Sequence, residues 1–338
     1  MQYKNKYEAK EWAWENMKGV VNVIMPSFSS DLKQLNEAGI RHDLRLCIEH
    51  GFEGTLLVSE CGTTVEEYKR FIEICADEAK GRIQLIGQAS FNSMSEMIDV
   101  LKFGEKNGLD SYLLAFPSTF YPTTAQEIYE FIRDLNENID LGCIVFPAMY
   151  WNFGRIHPSG WPPELSEAVA DIPNVIAFKY ESIGNATPGM LELWKKVGKK
   201  VIVSDPFDAN TPLWVETIGM QWLGTSQYEY FGDLIPKMFK LLKEGHWEEG
   251  MKLYWQMHPG RMAKSQDKNS WVNGSNFLHR YMWKYMGWLN GYNGGPLRMP
   301  VMRPSDGQFK LVREGLIKSG IKPTDLPDSQ FFIGRHPM

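Results

Sequence analysis

The chain has 338 residues, of which 43% are hydrophobic and 23% charged. This is an ordinary globular composition, and it excludes a disordered or low-complexity chain. The formal net charge is −5, so the chain lacks the basic surface that a nucleic-acid backbone requires. No apolar run is long enough to cross a membrane, and the four cysteines show no CxxC spacing. We therefore expect a cytoplasmic protein with reduced thiols, without nucleic-acid or membrane partners.

Eight short, β-rich apolar runs recur along the sequence, with helical patterns between them. They are residues 20–25, 55–59, 83–88, 112–116, 143–146, 175–178, 201–204 and 222–225. The runs are continuous rather than alternating, which is typical of parallel strands buried on both faces. Eight strand-then-helix units predict a (β/α)8 TIM barrel. No GxGxxG or GxxxxGK[ST] motif supports the alternative, an open nucleotide-binding sheet.

The domain boundaries follow from these units. We predict an N-terminal helical segment at 1–18, the barrel at 19–245 and a C-terminal helical extension at 246–338. The extension has helical spacing at 247–258 and 275–286 and a loop at 291–304. It is expected to pack on the barrel, because no long linker precedes it.

One lysine stands at the end of a buried run. Active sites of such barrels lie at the C-terminal ends of the strands, and Lys179 follows the apolar residues 175–178. Burial there is expected to lower the pKa of the amine, and a neutral amine is a nucleophile toward carbonyl groups. The structural alternative is a lysine that pairs with Glu181 or Glu60, or that reaches the rim.

Other catalytic chemistries receive less support. The histidines form no HExxH, and no GxSxG motif is present. Asp205 and Asp208 flank a proline, a pattern more typical of a turn or helix cap than of a metal site. Cys61 follows Glu60, and we expect that carboxylate to raise the thiol pKa and disfavour the thiolate. The sequence thus predicts neither a metal nor an external cofactor.

Several segments resemble one family. Residues 172–181, which carry Lys179, resemble the Schiff-base lysine segment of the dihydrodipicolinate synthase and N-acetylneuraminate lyase family. Pro26-Ser27-Phe28 resembles its Thr-Pro-Phe turn, and the resemblance runs from about residue 19 to 300. It implies a class I aldolase whose lysine forms an imine with a 2-keto acid, usually pyruvate, without another cofactor. It also implies a homo-oligomer, a tetramer or dimer.

The resemblance implies a proton relay and a carboxylate partner. The family has a tyrosine about 28 residues before the lysine and an arginine five after that tyrosine. Tyr150 lies 29 residues before Lys179, and Arg155 follows Tyr150 by five. Tyr150 is therefore the predicted acid/base residue, and Arg155 the predicted partner of the substrate carboxylate. An alignment on the strand end instead places Phe146 in the tyrosine position.

The family's paired threonines are absent here. Its Gly-Thr-Thr-Gly-Glu element falls on residues 56–60, which leaves Ser59 as the nearest hydroxyl, with Glu60 beside it, as predicted substrate contacts. Thr63 and Thr64 lie beyond the glutamate, where either is expected to cap the next helix.

The remaining site predictions lie in loops after strands. Asp205 or Ser226 is expected to position a substrate hydroxyl. Tyr121 lies where family tyrosines reach a neighbouring active site. Trp151 and Phe116 belong to an aromatic set around strands four and five, which suits a bulky apolar substrate. The alternative is that these rings pack the extension or a subunit interface.

This aromatic set resembles the hydratase-aldolases, which cleave aryl-substituted 2-keto acids into an aromatic aldehyde and pyruvate. The predicted ligand is thus a small 2-oxo acid or aromatic substrate. Two alternatives stay open. The same barrel could run a dehydratase, decarboxylase or hydrolase reaction on another substrate, or bind a small molecule without turnover.

Overall fold

The computed structural model describes residues 2–117, 119–265, 280–299, 301 and 304–338. Each predicted apolar run forms a strand. The strands are β1 (Gly19–Ile24), β2 (Gly54–Leu57), β3 (Gln84–Ala89), β4 (Ser111–Leu114), β5 (Gly142–Val145), β6 (Val175–Lys179), β7 (Ile202–Ser204) and β8 (Trp222–Gly224). They form one sheet in the order β7-β6-β5-β4-β3-β2-β1-β8, and β7 contacts β8. The predicted (β/α)8 TIM barrel is confirmed.

Helices follow the strands as predicted. The helices are α1 (Ala9–Asn16), α2 (Glu37–Glu49), α3 (Val65–Ala79), α4 (Met94–Lys106), α5 (Ala125–Glu137), α6 (Ser166–Asp171), α7 (Ala186–Val197), α8 (Thr211–Ile218), α9 (Leu234–Lys243), α10 (Trp247–Gln256), α11 (Arg280–Leu289) and α12 (Asp306–Lys318). The first part of the predicted helix at 275–286 lies outside the described residues. Helix α12 was not predicted, although Ser305 and Gln308 form a capping box at its start.

Helix α3 begins at a capping box formed by residues that are close in the sequence. Thr64 accepts a hydrogen bond from the backbone N–H of Glu67, and the Glu67 carboxylate accepts one from the backbone of Thr64. This reciprocal pair satisfies two donors that a helix start leaves open. The predicted capping role is confirmed for Thr64. Thr63 instead donates its hydroxyl to the Ser59 carbonyl at 2.9 Å.

Contacts divide the chain into two compact units. The first unit comprises Met1–Val21 and Gln84–Ser226, and the second comprises Asn22–Ile83 and Gln227–Met338. In the first unit, β4, β5 and β6 are buried along their whole length. The predicted boundaries at residues 19, 245 and 246 stay a prediction.

Parallel pairing in the first unit sets which side chains share a face. Ala177 pairs with Ile202, and Lys179 pairs with Ser204, while Val145 pairs with Phe178. Because strand side chains alternate, partners in register lie on the same face. Lys179 and Ser204 therefore share one face of the sheet.

Two of the general expectations concern the whole chain. All four cysteines are buried and unbonded to one another. In the described residues, we find no helix whose length and apolar character would let it traverse a bilayer.

Candidate active site

Lys179 ends β6 in a buried environment. Lys179 is 5% exposed, and its side-chain nitrogen lies 3.7 Å from the centre of the Phe146 ring. The strand before it is apolar and fully buried. The sheet and the ring together hold the amine at the C-terminal end of a barrel strand, where catalytic groups of this fold occur.

Phe146 directly follows β5, so the strand-end position next to Lys179 is an aromatic ring without a hydroxyl. Tyr150 lies four residues further, in the short helix Met149–Trp151. The Phe146 and Tyr150 ring centres are 5.7 Å apart. Tyr150 and Phe146, the two candidates for the family's tyrosine position, thus lie near each other. Phe146 is the one whose ring contacts Lys179.

The phenol of Tyr150 is a weak acid in this position. Burial raises its pKa well above the ordinary value, and the charge of Glu181 raises it further. The hydroxyl therefore stays protonated and can donate a hydrogen bond or a proton.

Four aromatic residues form a continuous group, which we call the aromatic wall: Phe146, Tyr150, Trp151 and Phe116. Phe146 is its member in contact with Lys179. The Trp151 ring contacts the other three, and its indole N–H donates to the Phe146 carbonyl at 2.7 Å. Phe116 is buried and packs against Phe120, Phe131 and Phe153. The structure gives Phe116 a packing role, and its predicted substrate contact stays a prediction.

Arg155 and Tyr121 contact each other. The Arg155 guanidinium lies 3.6 Å from the centre of the Tyr121 ring and donates to the Pro122 carbonyl at 2.7 Å. Tyr121 is exposed. A stacked arginine keeps a fixed orientation with further N–H groups for a carboxylate. The predicted carboxylate contact of Arg155 stays a prediction.

Asp205 is buried directly after β7 with several donors around its carboxylate. It accepts hydrogen bonds from the Ser182 hydroxyl, the Trp214 indole at 2.9 Å and the Asn210 amide at 2.8 Å. The backbone N–H of Phe207 also donates, at 3.0 Å, which forms the predicted turn. Burial raises the pKa of Asp205 to about 6 despite these bonds. These hydrogen bonds allow Asp205 to hold the loop after β7 in place.

Ser226 lies two residues beyond β8 and is half-buried. Two nearby hydroxyls were missed by the sequence reasoning. The side-chain oxygens of Ser204 and Thr225 are buried and have no hydrogen-bond partner among the described residues. Each of these residues ends a predicted apolar run, and this position in the sequence could have identified it.

In the second unit, Ser59 and Glu60 follow β2. Ser59 is buried, and the Glu60 carboxylate forms an ion pair with Arg280 of α11. Burial lowers the pKa of Arg280 to about 9. Glu60 thus neutralises a buried guanidinium, a role the sequence did not predict. Its predicted substrate contact, and that of Ser59, stay predictions.

A second buried lysine lies in the same unit. The Lys284 side chain donates to the Pro26 carbonyl at 2.8 Å, and burial lowers its pKa to about 8. It lines a small cavity with Asp43, Glu229 and Tyr292. The signal in the sequence was the i,i+4 spacing of Arg280 and Lys284 in an otherwise apolar helix.

The pKa of the Cys61 thiol is raised, as predicted, but the predicted cause was wrong. Its pKa is raised to about 12, but the cause is burial, and Lys284 partly offsets it. Glu60 makes no contribution that would explain the shift, because its carboxylate is paired with Arg280.

The chain combines an eight-stranded parallel barrel, a buried lysine at the end of β6 and a helical tail. The family model described as the dihydrodipicolinate synthetase family matches residues 16–288. The chain belongs to this family. The resemblance inferred from the Lys179 segment is thereby confirmed.

Curated relatives agree with this assignment. The chain is 23% identical over 315 residues to the 4-hydroxy-tetrahydrodipicolinate synthase of Methanopyrus kandleri, covering 91% of this chain and 98% of that protein. It is 27% identical over 232 residues to the enzyme of that name from a Sulfurihydrogenibium species, covering 66% and 76%.

Solved structures share the fold. A dihydrodipicolinate synthase structure superposes with a TM-score of 0.74 at 22% identity, covering 90% of this chain and 99% of that one. The N-acetylneuraminate lyase of Fusobacterium nucleatum gives 0.70 at 20% identity, covering 89% and 98%. PhdJ bound to a substrate intermediate gives 0.76 at 15% identity, covering 90% and 95%.

Family membership establishes the general chemistry. Members of the dihydrodipicolinate synthetase family are Schiff-base lyases that act on pyruvate through a lysine, without an external cofactor. The chain is accordingly a lyase of the class I aldolase type.

Proposed function

We propose that Lys179 is the Schiff-base lysine of this lyase. We further propose that the substrate is a 2-oxo acid with a bulky aromatic substituent, and that the reaction releases or uses pyruvate in the cytoplasm. The observation that carries the proposal is the Lys179 nitrogen at the buried end of β6, 3.7 Å from the Phe146 ring centre.

The chemistry follows from this placement. The neutral amine attacks the keto carbon, and loss of water gives a protonated imine. Cleavage requires a hydroxyl on the fourth carbon, which either belongs to the substrate or comes from water added across a benzylidene double bond. Loss of that hydroxyl proton breaks the bond beta to the imine, so the hydroxyl oxygen leaves as the aldehyde oxygen and the imine accepts the electron pair to become an enamine. Proton return to the enamine carbon and hydrolysis release pyruvate. The Phe146 ring faces the cationic imine, which it stabilises by a cation–π interaction.

Tyr150 is the proposed proton donor and acceptor. Its phenol is protonated, because burial and Glu181 raise its pKa. Its ring is the next in the aromatic wall after Phe146. We assign the substrate carboxylate to Arg155, whose stacking on Tyr121 fixes the guanidinium.

The aromatic wall supports the proposed substituent. An aryl group packs favourably on offset or edge-on rings, and Trp151 is half-buried beside Phe146 and Tyr150. A 2-oxo acid held on Lys179 would therefore extend its substituent along these rings.

Borohydride trapping tests the lysine assignment. The protein is incubated with pyruvate or with a benzylidene-substituted pyruvate, reduced, digested and mapped by mass spectrometry. We expect the adduct at Lys179 and its loss in Lys179→Arg. Lys284 is an internal control, because it is also a buried lysine.

The alternative outcomes separate the alternative functions. Turnover without an adduct, retained by Lys179→Arg, would replace the imine mechanism by a dehydratase, decarboxylase or hydrolase reaction. Binding without turnover would indicate a binding barrel. For the aryl substituent, Trp151→Ala should lower aldehyde release from the benzylidene compound at least tenfold while pyruvate trapping persists. An equal loss of both would contradict the aromatic assignment.

A further inference from the structure

The sheet pairing of the chain continues for two residues beyond Lys179, where β6 ends. The backbone N–H of Tyr180 donates to the Ser204 carbonyl at 2.7 Å, and the backbone N–H of Glu181 donates to the Pro147 carbonyl at 3.1 Å. The first bond reaches the β7 side of β6 and the second reaches the β5 side. Successive N–H groups that bond to the two neighbouring strands indicate that the backbone stays extended through residue 181.

This backbone decides where the Glu181 side chain points. Side chains alternate between the two faces of an extended segment, so Tyr180 and Glu181 face opposite ways. The Tyr180 hydroxyl donates to the Ser159 carbonyl at 2.8 Å on one face, and Glu181 shares the other face with Lys179. At about 3.3 Å per residue, the Glu181 backbone lies roughly 7 Å beyond that of Lys179, a separation that the lysine side chain can span.

Glu181 lies beside Tyr150 in the first unit. Pro147, whose carbonyl accepts the Glu181 N–H, is two residues before the short helix Met149–Trp151 that carries Tyr150. The charge of Glu181 acts on the phenol and raises its pKa. Glu181 is half-buried, so protons can reach it from solvent while it stays close to Tyr150.

The phenol of Tyr150 needs such a neighbour to act as a base. Burial and the charge of Glu181 keep the phenol protonated, and a protonated phenol can accept a proton only if it passes its own proton on. A carboxylate within reach of the phenol is a suitable acceptor.

We propose that Glu181 completes the proton relay of Tyr150 and holds the transferred proton between cleavage of the carbon–carbon bond and release of pyruvate. The relay rests on the proposed functions of Lys179 and Tyr150. Glu181 acts through the phenol and not by contact with the substrate.

The relay conserves protons and electrons. The hydroxyl proton on the fourth carbon of the substrate moves to the Tyr150 oxygen as the phenol proton moves to the Glu181 carboxylate. The bond between the third and fourth carbons breaks, the aldehyde C=O forms, and the electron pair enters the enamine. A proton then returns from Glu181 through Tyr150 to the third carbon, which becomes the methyl group of pyruvate. Both residues end in the protonation states in which they began.

Hydrogen exchange at the methyl group of pyruvate tests this relay, because the exchange requires the same proton transfer to and from the third carbon. The full-length protein and pyruvate are mixed in D2O, and loss of the methyl proton signal is followed by NMR. Borohydride trapping measures the imine at Lys179 in parallel. Glu181→Gln should slow the exchange roughly tenfold or more, with the wild-type yield of trapped adduct. Glu181→Asp keeps the carboxylate and should recover part of the rate.

Glu192→Gln is the matched control. The charge of Glu192 also raises the pKa of a buried tyrosine, Tyr180, whose hydroxyl lies on the other face. This variant should exchange at the wild-type rate. A wild-type exchange rate in Glu181→Gln, or an equal loss of exchange and of adduct, would overturn the relay. A wild type that forms no adduct at Lys179 would contradict the proposed function, and with it the relay.

A double variant tests whether the two residues act in one relay. Tyr150→Phe and Tyr150→Phe/Glu181→Gln should exchange equally slowly, because residues that act as a unit are not additive. Circular dichroism should show that each variant is folded. A further loss of roughly tenfold in the double variant would show that Glu181 acts independently of the phenol, which would overturn the inference.

Discussion

The side-chain nitrogen of Lys179 lies 3.7 Å from the centre of the Phe146 ring. A ring in this position stabilises a cation on the nitrogen by about 0.5–2 kcal/mol. A protonated imine is such a cation, so the contact matters most once a substrate is attached.

Replacement of Phe146 should reduce the accumulated imine. Phe146→Leu removes the π face, and we expect roughly a three- to thirtyfold lower yield of borohydride-trapped adduct with pyruvate. Phe131→Leu is the control, because Phe131 contacts Phe116 and Phe120 at the outer part of the same cluster. Equal yields for both variants would show that the ring does not assist the imine.

Removal of the Tyr150 hydroxyl should separate imine formation from proton transfer. In Tyr150→Phe the ring still packs on Phe146 and Trp151. We expect kcat to fall roughly a hundredfold, the order of general acid–base effects, while the adduct at Lys179 still forms. An unchanged kcat would assign the relay to another group.

Asp205 should stabilise the folded protein through its hydrogen bonds. Asp205→Asn replaces a buried acceptor of four hydrogen bonds by an amide whose NH2 faces those donors. We expect a loss of about 2–3 kcal/mol in the free energy of unfolding, measured by urea titration. Asp233→Asn, a change at a more exposed aspartate paired with Lys237, should cost little. Equal stabilities would contradict the structural role.

The pair of Glu60 and Arg280 should be sensitive to the loss of one partner. Arg280 is 7% and Glu60 22% exposed in their side chains, so Glu60→Gln leaves a buried guanidinium without its counter-charge. Such a loss costs about 3–5 kcal/mol. The double variant Glu60→Gln/Arg280→Met should recover part of it. An unchanged free energy of unfolding for Glu60→Gln, measured by chemical unfolding, would mean that the pair is energetically unimportant.

Glu229 should make stability depend on pH. Burial raises its pKa to about 8, and Lys264 partly offsets this. Between pH 6.5 and 7.5 the folded carboxyl holds a proton that the unfolded one has lost. The unfolded state binds fewer protons, so stability falls with rising pH, by up to about 1.4 kcal/mol per unit.

Glu229→Gln removes this titration, and its stability should be flatter over that range in urea unfolding. Asp43, with a pKa raised by burial to about 6, titrates mainly below it. Lys284, with a pKa lowered by burial to about 8, mainly affects stability above it. Glu244→Gln at an exposed site is the control. A slope equal to wild type would contradict the assignment.

The sequence by itself determined the strands, most helices and the position of the candidate lysine, Lys179, at the end of β6. Continuous short apolar runs are typical of strands buried on both faces, and the capping signal at Thr64 is carried by residues three apart. Lys179 was identifiable because it directly follows such a run. These are local properties, and neighbouring residues are sufficient to express them.

Only the tertiary structure decided which side chains meet. It placed Phe146 against Lys179 and Tyr150 one ring beyond, a choice that spacing along the chain left open. It also paired Glu60 with Arg280, which are 220 residues apart, and so gave a predicted substrate contact a structural partner. Burial and partnership depend on residues brought together from distant segments, and no local pattern encodes them.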